Sequence, residues 1–294
     1  MAGKLDSRQL NTLLAVVDTG SFDAAAASLG ISASAVSQRI KTLESGMGRI
    51  LVRRTSPATA TPAGEILVQT ARRMELLEKE AELQLEGRLN SVPLSVVINA
   101  DSLATWFRQV LIDAATWPGA GLNISIEDER HSLRMLRRGD CMAVVTTESV
   151  AMAGCEVDYL GRHRYLPVCQ PRLARWFSSG DFTWQTLPVA RFGAKDRMEA
   201  AFLRQELGDF SPSPERREFH IPSYEGILDA VLAGLGWAMV PESTVWPLIE
   251  ENRLVQLHPA SLEIPLYWQR WKVESVMLDR LTDSIHAAAA SSLD

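Results

Sequence analysis

The sequence predicts a mainly α-helical N-terminal unit, one long connecting helix and a larger α/β region. Three observations predict it. Apolar residues in the first fifty positions recur at helical spacing, broken by glycines where turns are needed. After Pro62 a strongly charged stretch runs to about Arg88 with glycine only near its two ends and no second proline. From Pro93 onward short apolar runs alternate with helical segments. The 294 residues are too many for one small core, and 46% hydrophobic with 22% charged residues is globular rather than disordered composition. The start, Met1-Ala2-Gly3-Lys4-Leu5-Asp6, has no apolar leader, and no stretch reaches the length of a membrane span, so no membrane association is expected. Three cysteines (Cys141, Cys155, Cys169), odd in number and widely spaced, fit a reducing compartment. A cytoplasmic location is the expectation.

The first helix is expected over residues 7–18, with Leu10, Leu13, Leu14 and Val17 on one face and Gly20 as its stop. Ser21 is placed to cap a second helix over 22–29, whose Ala25 and Ala26 allow close helix approach. Gly30 supplies a turn, and Ser32 is placed to cap a third helix over 33–45. Helix, short glycine turn and helix is the helix-turn-helix layout. At 100° per residue Val36, Ile40 and Leu43 of the third helix fall within about 60° of each other and face a core. Ser34, Gln38 and Lys41 lie opposite, with Ser37 at the edge. Small hydroxyls, an amide and a cation suit base edges and phosphates, and an ordinary solvated face is the competing reading. Residues 31–56 carry five basic residues (Arg39, Lys41, Arg49, Arg53, Arg54) against the single acid Glu44, a balance of +4 within a chain of net −6. Residues 48–61 read as a short β-ribbon turning at Ser56-Pro57, a wing whose arginines can grip a phosphate backbone. Thr61 and Pro62 then open the connecting helix as its cap and first residue.

The motifs Ala25-Ala26-x-x-Leu29, Ser34-Ala-Val-Ser37-Gln-Arg-Ile40-Lys-x-Leu43-Glu44, Gly48, Leu51, Arg54-Thr55 and Thr61-Pro-Ala-Gly64 resemble the winged helix-turn-helix of LysR-type regulators, in order and at family spacing. The resemblance implies a DNA-binding domain over 1–61. It places Ala33, Ser34, Ser37, Gln38, Arg39 and Lys41 of the third helix, with Arg53 and Arg54 of the wing, on double-stranded promoter or operator DNA. One departure stands out. Many members carry a further basic residue after the Arg-Thr of the wing, whereas Ser56-Pro57-Ala58-Thr59 is uncharged here.

The connecting helix is drawn over 62–90. Leu67, Met74 and Ala81 recur at seven residues, with Thr70, Leu77 and Leu85 on the same stripe, and Arg72, Arg73, Glu75, Lys79, Glu80 and Glu82 form the opposite face. A narrow seam of this kind wants a partner helix, with packing on its own domain as the alternative. LysR-type proteins dimerise through this element, and a homodimer or homotetramer is therefore expected.

Over 91–294 strands are expected at 94–98, 122–126, 141–146, 164–168, 189–192, 237–240 and 266–271, and helices at 102–115, 131–138, 198–207, 224–233, 243–250 and 276–290. The alternation indicates largely parallel sheets. The resemblance implies a periplasmic-binding-protein-like effector domain. Its first subdomain covers 93–163 and 266–294, its second 164–265, and crossover strands join them around a ligand cleft. Ligands in open α/β folds sit beyond strand carboxyl ends near helix N-termini, which singles out Asn99, Asp101 and Ser102, then Thr146 and Thr147, then the turn before Tyr224 with Glu225. Simple helix capping is the alternative for each. Asn99-Ala-Asp-Ser-Leu-Ala-Thr-Trp-Phe107, Ile126-Glu-Asp-Glu129, Leu136-Arg-Arg-Gly139 and Tyr267-Trp268 are similar to the ArgP/LysG branch of the family. That branch senses basic amino acids and controls lysine or arginine export and metabolism. A cationic effector needs acidic partners once desolvated, and Asp101, Glu127, Asp128, Asp196 and Glu225 are the candidates.

Two readings compete. Some LysR-type proteins switch through a disulfide, and Cys155, after Gly154, reads as the exposed cysteine while Cys141 and Cys169 lie in apolar runs. An enzyme is not expected, because the chain has no Gly-x-Ser-x-Gly, His-Glu-x-x-His or Walker loop, and its five histidines lack metal-ligand spacing. No cofactor or metal is expected, and RNA polymerase is a further partner that the resemblance allows.

Overall fold

The computed structural model describes residues 5–85, 93–117, 121–127, 129–194 and 196–294. Helix α1 (Ser7–Thr19) is capped by Asp6, whose side chain accepts the Arg8 amide, and ends at Gly20 in the left-handed conformation (φ 64°). Helix α2 (Phe22–Leu29) starts on Ser21, and α3 (Ala33–Met47) starts on Ser32, each hydroxyl accepting a first-turn amide. Helix α3 runs two residues further than the sequence suggests, to Met47, and is capped by Gly48. Leu10, Leu13, Leu14, Val16, Ala25, Val36, Ile40 and Leu43 form one buried core with Leu51, Val52 and Ala58 of the wing. Val16 takes the fully buried place expected for Val17, which is partly buried at the edge of that core. The wing is the antiparallel pair β1 (Val52–Arg53) and β2 (Thr59–Ala60). It docks on α1 through the Ala58 amide, which donates to Gly20 O at 2.7 Å.

Helix α4 (Pro62–Leu85) spans about 36 Å at 1.5 Å per residue. Thr61 Oγ1 accepts the Gly64 amide and donates to Ile50 O, tying the helix start to the wing. Leu67, Val68 and Ala71 join the head core, and Leu76 joins the core of the following region. Leu77, Ala81 and Leu85 of the expected seam remain exposed. The charged face opposite the seam is not solvated throughout: Arg72, Arg73 and Glu80 bond to the chain's own α/β region.

In that region β3 (Pro93–Ile98), α5 (Ala100–Ala104), α6 (Arg108–Ala114), β4 (Gly121–Ile126), α7 (Glu129–Arg138) and β5 (Ala143–Thr146) come first. Strand β6 (Cys155–Cys169) and α8 (Pro171–Ser178) lead into β7 (Val189–Arg191), α9 (Met198–Leu207), β8 (Glu218–His220), α10 (Tyr224–Leu232) and β9 (Ala238–Pro241). Helix α11 (Glu242–Glu250), β10 (Val255–Gln256), β11 (Leu262–Trp271) and α12 (Val276–Ala290) complete it. One sheet has the order β10-β6-β11-β5-β3-β4, with β9 also on β6, and β7 pairs β8 separately.

The sheet is mixed, which corrects the expectation of largely parallel strands. β3 pairs parallel with β4 and β5, and β7 with β8, but β6 and β11 pair antiparallel with every strand they meet. The cause is β6, read as a short strand over 164–168 but fifteen residues long and paired with β11 over ten positions. The register shifts between Leu266 and Tyr267 where the two strands leave one core for the other. One core holds Val96, Val97, Val144, Trp268, Leu278 and Leu281, and beyond β6 lie two more, around Trp237 and around Val240. The expected helix over 102–115 is broken at Thr105 (φ −112°, ψ −105°), whose hydroxyl bonds back to Asp101 O.

Candidate DNA interface and effector cleft

Val36, Ile40 and Leu43 turn α3 inward, which leaves Ser34, Gln38 and Lys41 exposed together and Ala33 and Ser37 half-buried beside them. Ser32 and Ser34 share a hydrogen bond of 2.9 Å at the start of the helix. Arg39 lies apart from this face, its Nη1 3.4 Å from Thr12 Oγ1 on α1. Arg53 is exposed on the wing, and the Arg54 guanidinium stands 5.1 Å over the Phe22 ring at the start of α2. Glu44, the single acid among these cations, is turned inward. Its Oε1 accepts the Leu51 and Val52 amides, pinning the wing to α3 and leaving the outward surface cationic.

The second site lies where α5 faces α10, beside β6. Asn99 caps α5 by accepting the Ser102 amide at 2.9 Å, and Ser102 is buried with its hydroxyl unpaired among the described residues. Asp101 is half-buried, and its Oδ2 accepts from the Tyr165 hydroxyl at 3.0 Å. Tyr165 also lies 3.2 Å from His163 Nδ1, so with the phenolic proton given to Asp101 the ring N–H donates to Tyr165. Burial holds His163 neutral, lowering its pKa to about 4. Asp101 is pushed up to about 6, mainly by desolvation, against the Tyr165 bond and with the charge of Asp196 adding to the rise. Asp196 is oriented by the Phe192 and Met198 amides. Tyr224 at the start of α10 bonds the Thr244 hydroxyl, and burial raises its pKa to about 12.

The structure thus brings together Asp101 and Asp196 of the expected residues, with Tyr224 of the expected turn and with Tyr165, His163 and Thr244, which sequence reasoning missed. The Pro222-Ser223-Tyr224-Glu225 turn was the available signal for Tyr224. Glu225 itself is exposed and takes a bond from the Ser223 hydroxyl, so it stands outside the group. Glu127 is half-buried just past β4, its amide donating to Ile98 O, and Asp128 lies outside the described residues. Thr146 is buried at the end of β5, where its hydroxyl accepts the Glu148 amide, and Thr147 is half-buried beside it. A cavity of about 440 Å³ is lined by His163 together with Arg162, Arg164, Glu242 and Trp246, and neither Asp101 nor Asp196 borders it.

Cys155 is buried, contrary to the exposure expected of it, and all three thiols are free and buried. Desolvation raises Cys155, with the Arg73 guanidinium opposing, and pushes Cys169 up to about 12. Thiols raised in this way are poor thiolates, and a disulfide switch gains nothing from their setting. Among the described residues no cluster of His, Cys, Asp and Glu could hold a metal, and no helix is long and apolar enough to cross a membrane.

Residues 7–65 match the bacterial regulatory helix-turn-helix protein, lysR family, and residues 87–290 match the LysR substrate binding domain. The lysine export transcriptional regulatory protein LysG of Corynebacterium glutamicum is 46% identical, over 97% of this chain and 98% of that protein. Full-length LysG from the same organism with bound effector Arg superposes with a TM-score of 0.88 at 45% identity, covering 98% of this chain and 99% of that one. A second structure of full-length LysG, at 45% identity and 99% of both chains, gives 0.65. The chain belongs to the LysR family of helix-turn-helix transcriptional regulators, and is not an enzyme.

Proposed function

We propose that this chain is a cytoplasmic transcriptional regulator whose grip on promoter DNA is set by a basic amino acid, arginine or lysine before histidine, held between the two halves of its effector domain. The observation that carries the reading is the desolvated carboxylate of Asp101, with the negative charge of Asp196 close enough to raise it. A cationic side chain or ammonium placed there would neutralise both. The similarity to LysG, and the arginine in a LysG structure, support the same class of ligand. Asn99, Ser102, Thr146 and Thr147 would serve the ligand's polar groups at strand ends and the start of α5.

Residues 1–61 form the DNA-binding domain in this reading, 62–90 the linker and 91–294 the effector domain. Ser34, Ser37, Gln38 and Lys41 face the groove, and Ala33, Arg53 and Arg54 lie along the backbone. Arg39, held on Thr12, supports the helix from its flank. The exposed Leu77, Ala81 and Leu85 seam pairs with a second copy, so that a dimer or tetramer presents recognition helices to successive half-sites. A thermal-shift series with arginine, lysine, histidine, citrulline and glutamate tests the effector. The basic amino acids are expected to raise the effector-domain transition, and neutral citrulline is expected to fail. Equal shifts with glutamate, or none with any basic amino acid, would end this reading.

A further inference from the structure

Three parts of the chain meet at one side chain. Arg72 on α4 places Nη2 2.6 Å from Asp18 Oδ1 at the end of α1 and 3.1 Å from Asp140 Oδ1 just beyond α7. The first carboxylate belongs to the DNA-binding head and the second to the effector domain. The neighbouring contacts of α4 are polar too. Gln69 donates to Arg137 O, Arg73 donates to Gly154 O at 2.7 Å and lies 5.8 Å from the Trp271 ring, and buried Glu80 accepts from Ser275.

Two glycines are shaped to this docking. A Cβ on Gly139 (φ 78°) would stand 2.6 Å from Arg72 Cδ, and one on Gly154 (φ 75°) 2.7 Å from the Arg73 guanidinium. Apolar packing is thin here. Among the described residues Leu76 is the α4 side chain in the effector-domain core, and a cavity of about 340 Å³ opens beside it, lined by Glu75, Lys79, Asp140 and Trp271 with Arg72 itself. Domain contacts of this polar, incompletely filled kind open more readily than a packed apolar core. The bridge also carries its own opener. Without the guanidinium, Asp18 and Asp140 become like charges facing one another. Two structures of one LysG polypeptide superpose on this chain with TM-scores of 0.88 and 0.65, a difference between those two structures.

We propose that Arg72 is a latch that holds the DNA-binding head, with the α4 segment packed on it, against its own effector domain, the head swinging away when the Asp140 contact lets go. Arg72 then acts as a positioning residue. It sets where the recognition helix is carried without touching DNA or effector.

The test uses the full chain with Ser45→Cys on the head and Ser149→Cys on the effector domain, both exposed positions, while the native thiols are buried. Sparse spin or dye labelling then reads the distance within one protomer. The parent is expected to give a single narrow distribution. Arg72→Gln is expected to add a longer-distance population by about tenfold over the parent. Arg72→Glu with Asp18→Lys and Asp140→Lys is expected to restore the narrow one, a rescue that a merely space-filling role would not give. Should Arg72→Gln fail to fold, Asp140→Asn opens the same link from the effector-domain side while leaving the Asp18 contact in place. An unchanged distribution in the folded Arg72 or Asp140 variant overturns the latch, and no effector is needed for the result.

Discussion

Asp101 carries a disfavoured negative charge that a bound cation would relieve. Its rise to about 6 from an ordinary 3.8 corresponds to about 3 kcal/mol of disfavoured charge. Because the folded-state value is raised, the favourable contribution of this group is fully present below about pH 4 and is lost as pH rises through 6. Asp101→Asn is therefore expected to stabilise the unliganded effector domain by about 2 kcal/mol at pH 8. The gain should shrink toward zero below pH 4, and calorimetry at the two pH values checks it. The same substitution should abolish the thermal shift with arginine, and in the parent protein affinity for arginine should fall as pH drops below 6. On the DNA side, Arg54→Ala is expected to weaken binding to all sequences and to shallow the salt dependence. Gln38→Ala should change base preference instead, which a binding selection on randomised duplexes would read. Asp101 was legible because Asn99-Ala-Asp-Ser stands at a strand-to-helix turn, where capping and ligand binding use the same residue types. Tyr165 and His163 were not, because their partner lies 64 residues away from Tyr165 and nothing in an apolar strand marks one tyrosine as facing a carboxylate.

Helix starts and stops were the most legible elements. Gly20 and Gly30 take the left-handed conformation, and Ser21 and Ser32 cap, because these choices are local and need no tertiary knowledge, whereas the stop of α3 at Gly48 was placed too early, at Ser45. Which face of α4 met protein was not local. A stripe at seven-residue spacing was visible, but an arginine buys no apolar signal when its function is to bridge two carboxylates from elsewhere in the chain. The break in the expected 102–115 helix was likewise hidden, since Thr105 diverts through a bond to a backbone carbonyl that any threonine could make. Gly64 shows how tightly the wing and α4 are fitted: a Cβ there would come 2.0 Å from Leu51 O. Gly64→Ala is expected to destabilise the head by about 3 kcal/mol, seen as lost hydrogen-exchange protection in α1 and α3, while arginine still shifts the effector-domain transition.

The division of the molecule into a helical head, a long helix and an α/β region was legible from periodicity and punctuation. Strand direction was not, because direction depends on which strand returns beside which, and no single run records that. Strands β6 and β11 settle it by pairing along ten residues while the polypeptide between them builds the second lobe. This arrangement has a consequence for how the chain is made. The head core is complete by Ala71, so it can close early in synthesis. The first lobe cannot: Leu266, Trp268, Trp271, Leu278, Leu281 and Ile285 belong to its interior and arrive last. A premature stop between the end of α4 and Leu262 would therefore leave a foldable reader of DNA attached to a sensor whose first lobe lacks its closing strand and helix, a fragment able to occupy promoters and deaf to every metabolite.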